Sequence, residues 1–204
     1  MTHPPRYVKI FAMKKIIITT LLIIVLSVVP AYADVTLQAP GESYHGAPQT
    51  FSPHAELVPQ LNEAEAAANG MVQAAEDYEA ELDSYGETRA SLVRFALSLK
   101  GKGYRYGGCG PDFFDCSGFV DYCAASVGIS LPRTSSEICG AGRQVSILEL
   151  RPGDIVGRSG HVGIYIGRDQ FIHSQDVGSG VVISSLSNYN MHVGFTNYVN
   201  IIGD

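Results

Sequence analysis

The stretch FFDCSGFVDY, residues 113–122, sets a cysteine between an aspartate and a serine immediately ahead of an amphipathic run. From about Ser117 to Val127 that run reads as a helix, with Gly128 as its stop. Cys116 therefore stands at a helix entrance, where unpaired backbone N–H groups and the helix dipole favour a thiolate over a thiol. Gly118 allows close approach of another backbone segment, and Asp115 and Ser117 flank the sulfur with polar groups. Other roles for such a cysteine are a disulfide partner, a metal ligand or a small buried residue. The four cysteines are Cys109, Cys116, Cys123 and Cys139; they form no CxxC pair, and the first three sit seven apart, which suits no common zinc spacing. No metal and no cofactor is expected. Cys123, two turns along the same helix, reads as core or disulfide.

A nucleophilic sulfur needs a general base, and the base needs a group that orients it. His161 opens HVGIYIG, a strand that alternates His161, Gly163 and Tyr165 against Val162, Ile164 and Ile166. His173 lies in QFIHS, after a turn at Gly167-Arg168-Asp169. Histidines on consecutive hairpin strands can stand side by side, so one can hold the other; a pair of satisfied sheet histidines is the plainer reading. His192 has no comparable setting and reads as structural.

Around these residues the chain shows helices first and strands after. A helix is expected over Arg89–Lys100, then a Gly-rich turn, then the Cys116 helix. Short strands are expected at 154–156, 161–166, 170–173, 181–184 and 198–202, punctuated by Gly and Pro as in a small antiparallel sheet. That order implies an α+β domain rather than a doubly wound sheet. LRPGDIV reads as architectural, with Pro152-Gly153 as a turn and Asp154 beginning a strand.

Upstream, the charge changes character. Residues 34–88 hold eleven acids and no Lys or Arg, whereas residues 89–204 hold ten basic and nine acidic residues. Residues 34–54, with Pro40, Pro48 and Pro53, read as a flexible leader. Over 55–87, Leu57, Leu61, Ala64, Ala68, Met71, Ala75, Tyr78, Leu82 and Tyr85 recur in steps of three and four, the stripe of a helix with one face on a partner. Asn69-Gly70 is expected to weaken this helix and to split it. The acidic flanks argue against a parallel coiled coil. The two readings are an acidic arm packed on the domain over residues 88–204, shielding its cleft, and a solvated spacer.

Residues 1–33 read as a secretory signal. Met13-Lys14-Lys15 is a positive start, Ile16–Val29 is an uncharged apolar run of 14 residues, and Ala31-Tyr32-Ala33 supplies a small-x-small cleavage pattern. The run is shorter than the roughly 20 residues of a comfortable span, so an exported chain with no lasting membrane insertion is expected. Cleavage would remove Arg6, Lys9, Lys14 and Lys15 and no acid, leaving ten basic against twenty acidic residues, a net charge of −10. Such a balance excludes nucleic acid as a natural partner, because cationic patches supply most of that affinity.

Taken in order, YRYGGCGPDFFDCSGFVDY, LPRTSSE, LRPGDIV, GHVGIYIG and FIHS resemble the NlpC-type cell-wall cysteine peptidases, over roughly residues 89–204. The resemblance implies a papain-like α+β domain with the nucleophile helix packed on a small antiparallel sheet. It implies an exported or envelope hydrolase of peptidoglycan stem peptides, cutting between D-glutamate and the diamino acid that follows. An amidase cutting the muramyl–alanine bond and a non-catalytic wall-binding protein are the alternatives. It also implies Cys116 as nucleophile, His161 as base and His173 as orienting residue, with Tyr104 lining the cleft and assisting the oxyanion. Asp115, Ser117, Arg133, Ser135 and Ser136 fall where similar enzymes line the substrate groove. Asp115 is open to two readings, a holder of the substrate amine or a helix cap; Arg133 to a contact with a substrate carboxylate or a turn contact. Tyr106 is expected to pack. Cys109 departs from the family pattern and is open to pairing with Cys123 or Cys139.

Overall fold

The computed structural model describes residues 54–204. The signal sequence expected over residues 1–33 and nearly all of the leader lie outside the described residues.

The acidic segment forms one helix, α1 (His54–Ser84), followed after Gly86 by α2 (Glu87–Ser98). The split expected at Asn69-Gly70 does not occur. A helical glycine costs only about 1 kcal/mol relative to alanine, and Ala66, Ala67, Ala68, Ala74 and Ala75 around it are strong helix formers. Of the apolar stripe, Leu82 is fully buried and Tyr78 packs beside it, whereas Met71 is 76% exposed. The last turns of α1 are docked. Tyr78 Oη donates to the Ile166 carbonyl at 2.5 Å, Arg168 covers the Tyr78 ring at 5.0 Å and reaches Glu81 at 2.8 Å. Arg94 of α2 binds Glu79 and Asp83 at 2.7 and 2.6 Å.

Two short strands, β1 (Gly103–Tyr104) and β2 (Phe113–Phe114), pair in parallel and hold the turn between them. They lead into α3 (Cys116–Ala125), then α4 (Ser135–Ile138) and β3 (Arg143–Gln144). After a 3-10 turn at Ile147–Glu149 come β4 (Ile155–Arg158), β5 (His161–Gly167), β6 (Gln170–Ser174) and β7 (Val181–Ser185). A short α5 (Leu186–His192) and β8 (Asn197–Asn200) close the chain. The main sheet is antiparallel, in the order β3-β8-β4-β5-β6-β7. The expected strands of this sheet recur within a few residues of their expected bounds, and the domain is α+β with antiparallel pairing.

Strand alternation sorts the side chains onto two faces. Ile155, Val162, Ile164, Ile166 and Ile172 share a core with Leu92, Val93, Phe119 and Val120 of the helices. On the other side Val156, Phe171, Leu186 and Phe195 form a second, smaller cluster. Arg89, buried at the start of α2, binds Asp154 at 2.9 Å, the Pro152 carbonyl at 2.8 Å and the Asp204 carboxylate at 2.6 Å. A buried guanidinium is tolerable only when so paired. It joins α2, the Pro152-Gly153 turn and the last residue of the sequence.

α1 touches β5 at its Gly167 end, whereas His161 stands at the other end of that strand. At about 3.3 Å per residue the two points are roughly 20 Å apart. The contact expected between arm and domain is present at the last turns of α1, and these docked turns lie at the Gly167 end of β5, away from His161.

Candidate active site

The site is built where α3 begins. Asp115 has extended backbone and caps α3, accepting from Gly118 N at 2.7 Å and from Gly107 N at 2.9 Å. Gly118 has no side chain because none would fit: a Cβ there would run into the Gly108 carbonyl oxygen. The Gly107-Gly108 turn is thereby clamped onto the first turn of α3, fixing the direction in which Cys116 points.

Arg133 completes the clamp. Its Nη2 lies 2.6 Å from Asp115 Oδ2, and its Nη1 reaches Asp115 Oδ1 at 3.1 Å and Ser117 Oγ at 2.8 Å. Burial opposes ionisation of Asp115, but the Arg133 bonds and the Gly118 and Gly107 N–H groups outweigh it and hold the carboxyl below its ordinary range. Of the readings open for Asp115 and Arg133, the structure has the capping and pairing roles. Both oxygens of the Asp115 carboxylate are met by this chain's own donors, whereas Arg133 stays 41% exposed and keeps N–H groups beyond these three bonds. Ser135 Oγ accepts from Gly160 N at 3.1 Å and Ser136 Oγ meets Ser159 Oγ at 3.2 Å, so both hydroxyls tie α4 to the turn before His161.

Cys116 Sγ is half-buried and lies 3.9 Å from the Gly160 carbonyl, with the Val162 N–H also directed at it. The sulfur thus sits against the backbone on either side of His161. Burial pushes the thiol up, the Val162 N–H pulls it down, and the Asp115 charge pushes it up again; the net shift is upward. This corrects the thiolate expected from the helix entrance. The capping carboxylate takes the Gly118 N–H and sets a negative charge beside the sulfur, so the helix start favours the anion less than an uncapped one would.

His161 and His173 come together as the strand pattern suggested: His161 Nε2 lies 2.7 Å from His173 Nδ1, with the rings edge-on at 4.9 Å. Gly163 makes room for this, since a Cβ there would stand 2.8 Å from the Phe171 ring and 3.0 Å from His173 Cβ. Phe171, Tyr189 and Phe195 wall the pair; Tyr189 and Phe195 stack with His161 at 6.0 and 6.4 Å. Burial lowers His161 to about 4, with the Arg158 charge adding to the effect. Burial also lowers His173, followed by the influence of His161. At neutral pH both rings are uncharged.

Sequence reasoning missed Ser184. Its Oγ lies 3.0 Å from His173 Nε2, extending the histidine pair to a third residue. A short polar residue on the strand after His173 was the available signal, but only the β6–β7 register, with His173 opposite Val182, shows that Ser184 can reach it. Tyr104 is set by its pairing with Phe114. Partial burial raises its phenol, and so do the charges of Cys116 and Asp115, which places it within electrostatic reach of the sulfur. Tyr106, expected to pack, is 90% exposed, because the β1–β2 turn carries it outward. All four cysteines are free thiols: Cys109 is exposed, Cys123 and Cys139 are buried apart in the core, and no disulfide forms among the described residues.

The family model described as NlpC/P60 matches residues 101–199. The chain is 44% identical over 93 residues to the probable endopeptidase p60 of Listeria innocua, covering 43% of this chain and 20% of that protein. It is 39% identical over 105 residues to the bifunctional muramidase/DL-endopeptidase CwlT of Bacillus subtilis, covering 47% and 31%. It therefore spans less than a third of the length of these curated relatives. Among solved structures, the NlpC/p60 domain of the peptidoglycan hydrolase SagA superposes with a TM-score of 0.50 at 30% identity, covering 55% of this chain and 97% of that one. The P60 domain of a Mycobacterium avium subspecies paratuberculosis antigen gives a TM-score of 0.52 at 28% identity, covering 57% and 96%. With the ordered motifs and an α+β domain that covers nearly the whole of that SagA domain, the chain belongs to the NlpC/P60 family.

Proposed function

We propose that this protein is an exported cysteine peptidase that hydrolyses peptidoglycan stem peptides at the bond between D-glutamate and the following diamino acid. The observation that carries the reading is the 2.7 Å contact between His161 Nε2 and His173 Nδ1, on a strand whose flanking Gly160 carbonyl and Val162 N–H face Cys116 Sγ. In this reading His161 Nδ1 is the nitrogen that serves the sulfur. The endopeptidase names of the relatives support the choice of substrate. The apolar run over residues 16–29 supports export.

For Nδ1 of His161 to accept a proton, its Nε2 must carry the hydrogen and donate to His173 Nδ1. His173 then carries its own hydrogen on Nε2 and donates to Ser184 Oγ. Each link satisfies the next. As Sγ attacks the carbonyl carbon, its proton passes to His161 Nδ1, and the resulting imidazolium is held through Nε2 by His173. The oxyanion is met by the Cys116 backbone N–H and the Tyr104 hydroxyl; one such donor contributes about 3 kcal/mol in other enzymes. Collapse breaks the C–N bond, and the leaving amine takes the proton from His161. Water, deprotonated by His161, then cleaves the thioester and restores the thiol.

Digestion of purified cell wall followed by mass spectrometry of the new termini tests this reading. A new amine on the diamino acid, abolished by Cys116→Ala, is expected. A new amine on L-alanine would identify an amidase instead, and lysis that survives Cys116→Ala would remove the nucleophile.

A further inference from the structure

Arg158 ends β4 directly opposite His161, the first residue of β5, in the antiparallel register. Cross-strand partners project from the same face with Cβ atoms about 5 Å apart, so the guanidinium belongs to the face that carries the imidazole. Its charge is felt there, since Arg158 is the group that adds to burial in lowering His161. Arg158 is half-buried, and its Nε is fully covered without a hydrogen-bond partner among the described residues. Other arginines near the site or at the helix contacts are satisfied: Arg89 by Asp154 and Asp204, Arg94 by Glu79 and Asp83, Arg133 by Asp115, Arg168 by Glu81. A covered guanidinium N–H with no acceptor is costly, and here it stands beside the general base. Among the described residues no carboxylate pairs with Arg158, which leaves it ready for an acceptor brought by substrate.

The side of the cleft follows from the chemistry. His161 must hand its proton to the leaving amine, so the leaving segment lies along His161. A residue on the same face as His161 therefore meets the leaving segment rather than the acyl half. We infer that Arg158 is a specificity residue that binds a carboxylate on the leaving segment, so that the preferred diamino acid is one carrying a free side-chain carboxylate, as diaminopimelate does. Lysine, or a diamino acid whose side-chain carboxylate is amidated, leaves the guanidinium without its bidentate partner. This inference rests on the hydrolase reading above.

The test compares three synthetic tripeptides with the full chain: L-Ala-γ-D-Glu followed by meso-diaminopimelate, by its side-chain amide, or by L-lysine. A fourth peptide extends the diaminopimelate form by D-alanine, separating the side-chain carboxylate from the carboxylate at the peptide end. The expected result is roughly a tenfold or greater preference in kcat/KM for the free side-chain acid, retained in the extended peptide. In Arg158→Gln that ratio collapses toward one, with Arg158→Lys between. Equal rates on the acid, amide and lysine peptides in the unmutated protein, or a ratio unchanged in Arg158→Gln, would overturn the assignment while leaving the hydrolase reading in place. A preference that vanishes on extension would also overturn it, since the recognised group would then be the terminal carboxylate. Failure to open any of the four peptides at that bond would overturn the hydrolase reading and the assignment together.

Discussion

His173 Nε2 lies 3.0 Å from Ser184 Oγ, so the imidazole that supports His161 is itself held from the neighbouring strand. In the proposed relay the serine acts through His173: with its hydroxyl accepting from His173 Nε2, Nδ1 of His173 is left to accept from His161 Nε2, and His161 Nδ1 is free to accept in turn. Ser184→Ala leaves a buried N–H without its acceptor and is expected to cost about 1–3 kcal/mol of stability. Because the base then loses its tautomeric bias, kcat should fall on the order of tenfold with KM little changed. Urea unfolding and steady-state kinetics check both, and Ser184→Thr should restore most of the loss. Unchanged kcat would remove Ser184 from the relay.

The depressed imidazoles predict an unusual acid limb. His161 is lowered from 6.5 to about 4, chiefly by burial, and must be neutral to act as base. kcat/KM should therefore hold well below the pH at which a free histidine protonates, and fall only as pH approaches 4. A pH–rate profile on a soluble peptide decides it; an acid limb near 6.5 would show the base to be ordinarily hydrated.

The same groups tie stability to pH. Both histidines have folded values below their unfolded ones, so the unfolded chain binds protons first as pH falls. Their contribution is whole above about pH 6.5 and is lost as pH drops toward 4, at up to about 1.4 kcal/mol per pH unit for each ring. Chemical denaturation at stepped pH measures the slope, which His161→Asn should reduce.

Leu82 is fully buried where α1 docks. Leu82→Ala should cost about 2–5 kcal/mol, as other buried leucines do, and leave kcat/KM unchanged at temperatures where the protein stays folded. The docked turns lie at the Gly167 end of β5, away from His161. A changed kcat/KM would instead mean that α1 acts on the cleft.

Gly118 lies against the Gly108 carbonyl with no room for a methyl group. Gly118→Ala must push the 107–108 turn away from α3, breaking the Asp115 cap with it. A loss of about 2 kcal/mol or more is expected, along with a large fall in kcat as the sulfur shifts. Wild-type thermal stability and turnover in this variant would contradict the clamp.

Local pattern alone settled a good deal. The alternation in HVGIYIG and QFIHS specified two adjacent strands with His161 and His173 on one face, and the polar flanks of Cys116 marked a helix entrance. The three- and four-residue steps from Leu57 to Tyr85 specified a helix. These properties have periods of two or 3.6 residues and are written into neighbouring positions. What each helix face would meet was not written there. The stripe of α1 looked uniform, yet its end around Tyr78 and Leu82 is packed while Met71 stands exposed.

The charge state of Cys116 depended in the same way on distant groups. Helix position argued for a thiolate, but burial against the backbone beside His161 and the charge of Asp115 raise the thiol instead. Asp115 and Arg133 are 18 residues apart, and their pairing turns the helix cap into an ion pair. Ser184 and Arg158 entered the site only through strand register. Residue type and period are local, and so the elements and the side chains proposed to react are legible in neighbouring positions. Desolvation and partner choice are set by groups far away along the chain, and these emerge only on folding.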